Sequence, residues 1–180
     1  MKKKWQLIQS EIVFNHKWYR LRKDKVRLPN GHIIDDYFVS ERVDVVLVFA
    51  LTTKREVIIV EQYKHAASEV LLEFPGGFFD NTKETPRKAA LRELIEETGY
   101  AAGTLVRIAK LIDNPTKDSN RTYLYVAYDC VKIQEQELDD TEQISVHLYP
   151  LNDIEKMILK QKIKATLSVA LGLLALKKIY

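Results

Sequence analysis

One stretch constrains this chain more than any other: Gly76-Gly77, then a short polar segment, then Glu84 and a run from Pro86 to Gly99 that carries Glu93, Glu96 and Glu97. Local chemistry predicts a helix there. Thr85 is a good N-cap, Pro86 suits the first helical position, where a missing N–H costs nothing, and Gly99 fits just past the last turn. The helix should span Pro86 to Thr98. At 3.6 residues per turn Glu93 and Glu97 stand one turn apart with Glu96 beside both, while Leu91, Leu94 and Ile95 point the other way into a core. Like charges at this spacing cost about 0.2–0.5 kcal/mol per pair. The acidic face therefore calls for a cation.

Two readings of that face stand side by side. Three glutamates on a helix can simply face water. They can also hold a metal ion, and the neighbouring glycines favour this, because Gly76-Gly77 follows Leu71-Leu72-Glu73-Phe74-Pro75, which reads as a strand ending in a turn. A glycine loop at that point brings bare backbone close to the carboxylates. Hard oxygen ligands of this kind suit Mg²⁺ or Mn²⁺.

The segment resembles the signature box of the Nudix hydrolases, G-x5-E-x7-R-E-U-x-E-E-x-G-U, where U is an apolar residue. The match is complete from Glu84 to Tyr100, and upstream six residues rather than five separate Gly77 from Glu84. The resemblance implies a metal held by Glu93, Glu96 and Glu97, with the backbone carbonyl of Gly76 as a further ligand. Arg92 is expected to point away from the metal face and to orient a glutamate of the box. Glu84 is expected as an outer partner.

Composition agrees with the compact enzyme that the resemblance implies. The chain has 180 residues, 46% of them hydrophobic, enough for one domain with a real core or for one domain plus a short appendage. A net charge of +3 is small for this length and does not argue for nucleic acid. Lys2-Lys3-Lys4 reads as a solvated basic tip, and no apolar signal-peptide core follows it, so a cytoplasmic protein is expected. Cys130 is the only cysteine, which excludes an intramolecular disulfide and a cysteine-based metal site. It reads as a small core residue. His16, His32, His65 and His147 lack metal-ligand spacing and are taken as non-ligands.

Along the chain, Trp5 to Phe14, Trp18 to Leu28 and Ile33 to Val39 read as strands, with Pro29-Asn30-Gly31 as a hairpin turn. Val43 to Ala50 and Val57 to Glu61 are apolar enough for central strands, joined by a turn at Thr52-Thr53-Lys54-Arg55. Leu105 to Ile112, Tyr123 to Tyr128 and Ile144 to Tyr149 are further strands, and two helices begin near Asn152 and Lys162. The last of these is too short and too broken by small polar residues to span a bilayer, and is read as covering the sheet. The expected fold is α/β (α+β): a mixed sheet sandwiched between helices, residues 41–180, preceded by a β appendage, residues 1–40.

The order of the appendage, Val43-Asp44-Val45-Val46-Leu47-Val48, Glu61-Gln62-Tyr63-Lys64 and Leu72-Glu73-Phe74-Pro75-Gly76-Gly77 is similar to the ADP-ribose pyrophosphatase branch of that family. A proline fifteen positions past the box is typical of the branch, and Pro115 stands there. Lys64 stands where the branch usually has arginine, and Gly76-Gly77 where it usually has Ala-Gly. The resemblance implies metal-dependent hydrolysis of ADP-ribose or another nucleoside diphosphate sugar, and a homodimer that exchanges its N-terminal strands. Hydrolysis of nucleoside triphosphates or dinucleoside polyphosphates, and a non-catalytic nucleotide-sugar sensor, are the alternatives. The acidic segment Leu138 to His147 offers Glu142 as the general base, with Glu93 or Glu96 next. Trp18 and Tyr19 can stack on a base. Lys64, Glu73, Pro115 and Arg121 complete the substrate candidates, and neither nucleic acid nor membrane is expected as a partner.

Overall fold

In the computed structural model the described residues are 4–180; Lys2 and Lys3 of the basic tip lie outside them. The chain divides into two compact units, Met1–Val43 with Ile112–Arg121, and Asp44–Leu111 with Thr122–Tyr180.

The first unit is a three-stranded antiparallel sheet of β1 (Gln6–His16), β2 (Tyr19–Arg27) and β3 (Ile33–Glu41), with β2 in the middle. The turn between β2 and β3 uses Gly31 at φ 88°, and Asn30 Oδ1 accepts the His32 N–H at 3.1 Å. That is the chemistry an Asn-Gly pair offers a hairpin. Asp24 is buried on β2 and fully engaged, accepting from Ser10 Oγ at 2.6 Å and from Arg22 Nε at 2.9 Å, while Arg22 Nη1 reaches Glu41 at 2.6 Å. A buried charge held this way is matched rather than stranded. The later segment of the unit, 112–121, lies along the end of β3. Ser40 N–H donates to Lys117 O at 2.7 Å, Ser119 N–H to Ser40 O at 3.1 Å, and Tyr37 Oη to Thr116 O at 3.0 Å. Every residue of β1 is solvent-exposed in the single chain.

The second unit is an eight-stranded mixed sheet. Its path runs β11 (Ile144–Pro150), β5 (Glu56–Lys64), β4 (Asp44–Thr52), β10 (Thr122–Lys132) and β8 (Tyr100–Ala101), with β6 (Glu69–Glu73) paired to β5, β7 (Gly76–Phe79) to β4 and β9 (Thr104–Leu111) to β10. Only β4 and β10 run parallel; the other pairs are antiparallel. Alternation along the central strands builds two cores. Leu47, Phe49 and Leu51 of β4 with Val57 and Ile59 of β5 face helices α2 (Ile154–Leu159) and α3 (Thr166–Ile179). Val46, Val48 and Ala50 with Ile58 face the other way, toward α1 (Pro86–Thr98).

The helix over Pro86–Thr98 matches the sequence expectation residue for residue, but its packing face differs. Ala89, Ala90 and Leu94 are fully buried, whereas Leu91 and Ile95 are only partly covered. Small residues let the helix lie close to the sheet. Gly76-Gly77 is likewise a strand and not a loop: Gly76 and Gly77 sit opposite Leu47 and Val46 in the ladder. The helix read as covering the sheet does so, burying Leu171, Ala175 and Leu176, and Cys130 is a core residue whose thiol burial pushes up to about 12. Among the described residues no helix is long and apolar enough to cross a membrane.

Candidate active site

The box residues are positioned by the two ends of α1 and by the close passage of β7. Thr85 caps the N-terminus, its hydroxyl accepting the Lys88 N–H at 3.3 Å, and Gly99 closes the C-terminus at φ 76° with its N–H on Ile95 O at 2.7 Å. Gly76 packs directly on Val46, where a Cβ would collide with the Val46 carbonyl oxygen. Its N–H donates to Glu97 Oε2 at 2.8 Å. Gly77 leaves room for Glu93: a Cβ there would lie 2.6 Å from the Glu93 carboxylate.

Arg92 does not point away from the acidic face as expected but sits among its carboxylates. Nη1 reaches Glu93 at 2.9 Å and Glu96 at 2.8 Å, and Nη2 reaches Glu84 at 2.8 Å. A guanidinium has five donors in a fixed fork, enough to serve three carboxylates at once. Its bond to Glu84, followed by those to Glu96 and Glu93, holds the guanidinium above its ordinary pKa despite partial burial. Burial raises Glu93 to about 7 against the pull of Arg92, with Glu96 and Glu142 adding repulsion. Glu97 is raised to about 8, again first by burial; the Gly76 N–H and Lys64 oppose the shift, and Glu93 and Glu142 add to it.

The same interactions place Glu142 and Lys64 within electrostatic reach of the buried glutamates. Glu142 is half-buried in the segment 133–143 that joins β10 to β11, and its Oε2 accepts the Asp139 N–H at 3.2 Å. That segment straps the C-terminal end of α1, with Ile133 N–H on Gly99 O at 2.9 Å and Glu137 N–H on Glu96 O at 2.8 Å. Gln136 Nε2 donates both to Glu97 O at 2.6 Å and to Ile144 O at 3.1 Å. Gln136 was not among the residues singled out from sequence, and a lone amide in an irregular loop leaves no periodic trace there. Lys64 pairs with Glu73 at 3.2 Å and donates to Gln62.

Of the remaining candidates, Trp18, Pro115 and Arg121 belong to the first unit. Trp18 is 80% exposed with Lys17 Nζ 4.8 Å from its ring centroid. Pro115 opens the turn closed by Lys117 N–H on Asn114 O, and Arg121 Nη1 donates to Ser119 O and Asn120 O. His147, taken as a non-ligand, holds Glu61 at 2.8 Å.

A family model described as the NUDIX domain matches residues 41–168, and one described as the nucleoside diphosphate sugar hydrolase N-terminal domain matches residues 5–40. This chain belongs to the Nudix family. Among its Nudix relatives, the ADP-ribose pyrophosphatase of Bacillus subtilis is 30% identical over 95% of this chain and 92% of that protein. The ADP-ribose pyrophosphatase of Mycobacterium tuberculosis is 28% identical over 95% and 82%. A solved ADP compounds hydrolase superimposes with a TM-score of 0.88 over 99% of this chain and 96% of that one; at 21% identity this likeness speaks to the Nudix fold alone.

Nudix hydrolases generally work with a divalent metal, and the donors here suit one. They are oxygens only, two of them on Glu97, which is buried, and Glu93, which is largely covered, and burial holds both carboxyls above the ordinary carboxylate range. Among the described residues no three His, Cys, Asp or Glu side chains already converge as a metal cage. Arg92 lies on Glu93 and Glu96, and Glu97 turns to the Gly76 N–H.

Proposed function

We propose that this Nudix pyrophosphohydrolase cleaves the pyrophosphate bond of ADP-ribose or a related nucleoside diphosphate sugar, giving a nucleoside monophosphate and a sugar phosphate. The observation that carries the reading is the pairing of a whole box helix, residues 86–98, with an N-terminal region matched by the nucleoside diphosphate sugar hydrolase model. Likeness to ADP-ribose pyrophosphatases along nearly the full chain supports it.

Glu93, Glu96 and Glu97, with the Gly76 carbonyl, would hold Mg²⁺ or Mn²⁺, which would supply neutralisation of phosphate charge and a more acidic water. Glu142 takes the proton of the attacking water, being half-buried and within electrostatic reach of Glu93 and Glu97. Arg92 and Glu84 keep the carboxylates apart and oriented before substrate arrives. Lys64, with Glu73 beside it, meets the phosphates; Trp18, Pro115 and Arg121 serve the base and sugar. Residues 1–40 form a self-association region in a cytoplasmic homodimer, and residues 41–180 form the hydrolase domain.

The test is release of phosphate, after coupling to a phosphatase, from ADP-ribose, GDP-mannose, UDP-glucose, dinucleoside polyphosphates and nucleoside triphosphates with Mg²⁺. A nucleoside diphosphate sugar is expected to give the highest kcat/KM. A preference of tenfold or more for a triphosphate or a dinucleoside polyphosphate would overturn the reading.

A further inference from the structure

The last carbonyls of an α-helix have no partner within it, and something outside must supply donors. At α1 the strap 133–143 does so mostly through its backbone, at Ile133, Gln134 and Glu137. Gln136 differs from these. Its side-chain nitrogen touches two elements at once, the carbonyl of Glu97 on α1 and the carbonyl of Ile144 at the first residue of β11. Ile144 lies two residues after Glu142. One amide therefore spans from the backbone of a buried box glutamate to the strand start that anchors the Glu142 loop. The loop's other attachment near Glu142 is internal, a turn in which Glu142 N–H donates to Asp139 O at 2.8 Å and Asp139 N–H to Glu142 Oε2 at 3.2 Å.

We propose that Gln136 is a positioning residue: by bridging the Glu97 and Ile144 carbonyls it sets the Glu142 carboxylate against the Glu93–Glu97 face. The inference rests on the reading of Glu142 as the base. Without the bridge, the bonds at 133, 134 and 137 still hold the strap to the helix. The fold survives while the separation of Glu142 from the box is released. Misplacement of a reacting group by about 1 Å can cost on the order of 10²-fold in rate, so partial release should cost about tenfold.

The experiment measures kcat and KM, on the best substrate of the panel at saturating Mg²⁺, for the parent, Gln136→Leu, Glu142→Gln and the double variant, with thermal midpoints to normalise for folded protein. Gln136→Leu is expected to lower kcat about tenfold with KM within about twofold. In the Glu142→Gln background the same change should alter kcat by less than about twofold, because nothing is left to position. Gln136→Asn, whose amide reaches one carbonyl at most, should fall between parent and Leu, which keeps the test open if Leu folds poorly. An unchanged kcat in Gln136→Leu overturns the proposal. So does an equal loss in both backgrounds with Glu142→Gln itself impaired, which marks a structural role. Full activity of Glu142→Gln removes the base reading and this proposal with it, an outcome distinct from the loss of coupling alone.

Discussion

At the scale of single residues, burial sets the behaviour of the box. Glu97 and Glu93 are carboxyls whose pKa values in the folded chain, about 8 and about 7, lie above the ordinary 4.5. Between the ordinary value and the raised ones, the folded state binds more protons than the unfolded state. The slope of unfolding free energy with pH is then negative: stability is full below about pH 4.5 as far as these groups go, and falls as pH rises toward 8. In chelator, urea denaturation is expected to show the protein less stable at pH 8 than at pH 5.5, with Glu97→Gln flattening the difference. Mg²⁺ at pH 8 should restore the parent and act weakly on the variant, whose turnover should fall by about 10²-fold or more. Equal stability at both pH values, or full turnover by Glu97→Gln at millimolar Mg²⁺, would refute this. The acidic face was readable from spacing. The place of Arg92 was not, because helical spacing puts it next to Glu93 without saying where so long a side chain will reach, and the guanidinium serves three carboxylates, Glu84, Glu93 and Glu96.

At the scale of elements, the glycine pair shows how a motif can be legible while its backbone is not. Gly76-Gly77 reads as a loop by composition, yet both residues continue the ladder on β4. A strand needs small residues where another backbone or a buried carboxylate passes close by. The two glycines do different work, so alanine at each should separate fold from activity. Gly76→Ala sets a Cβ against the Val46 carbonyl at a backbone angle that side chains avoid, and is expected to destabilise the protein by about 2 kcal/mol or more. Gly77→Ala meets only the end of the flexible Glu93 side chain. It should keep most of the stability and lose metal-dependent activity by displacing that carboxylate. Denaturant midpoints and kcat for both variants decide it, and equal stability loss in the two would contradict the assignment. The helix boundaries were readable to the residue because Thr85, Pro86 and Gly99 act locally. The packing of Ala89 and Ala90 was not, since hydrophobic size alone favours leucine and isoleucine, whereas close approach to a sheet favours alanine.

At the scale of the whole molecule, the apolar residues of the N-terminal sheet ask for cover. Leu7, Phe14 and Trp18 are each more than half exposed in the single chain, and a small sheet that leaves such residues in water marks a contact surface. Light scattering at micromolar concentration is expected to give about twice the 20.9 kDa chain mass, and Phe14→Asp should shift it toward the monomer. A monomeric parent would count against self-association through this region. Strands in the N-terminal region were readable from sequence, but the return of segment 112–121 to them was not, because Ser40, Lys117 and Ser119 meet through backbone groups that any sequence carries. That return has a consequence for the order in which the protein can be made. The segment that bonds to the end of β3 follows the first three strands only after Asp44–Leu111 has been translated, a wait of several seconds at roughly 5–20 residues per second. During that interval the nascent chain carries a sheet still lacking its final segment, and a fragment ending at Val43 lacks the backbone bonds that Ser40 makes with Lys117 and Ser119.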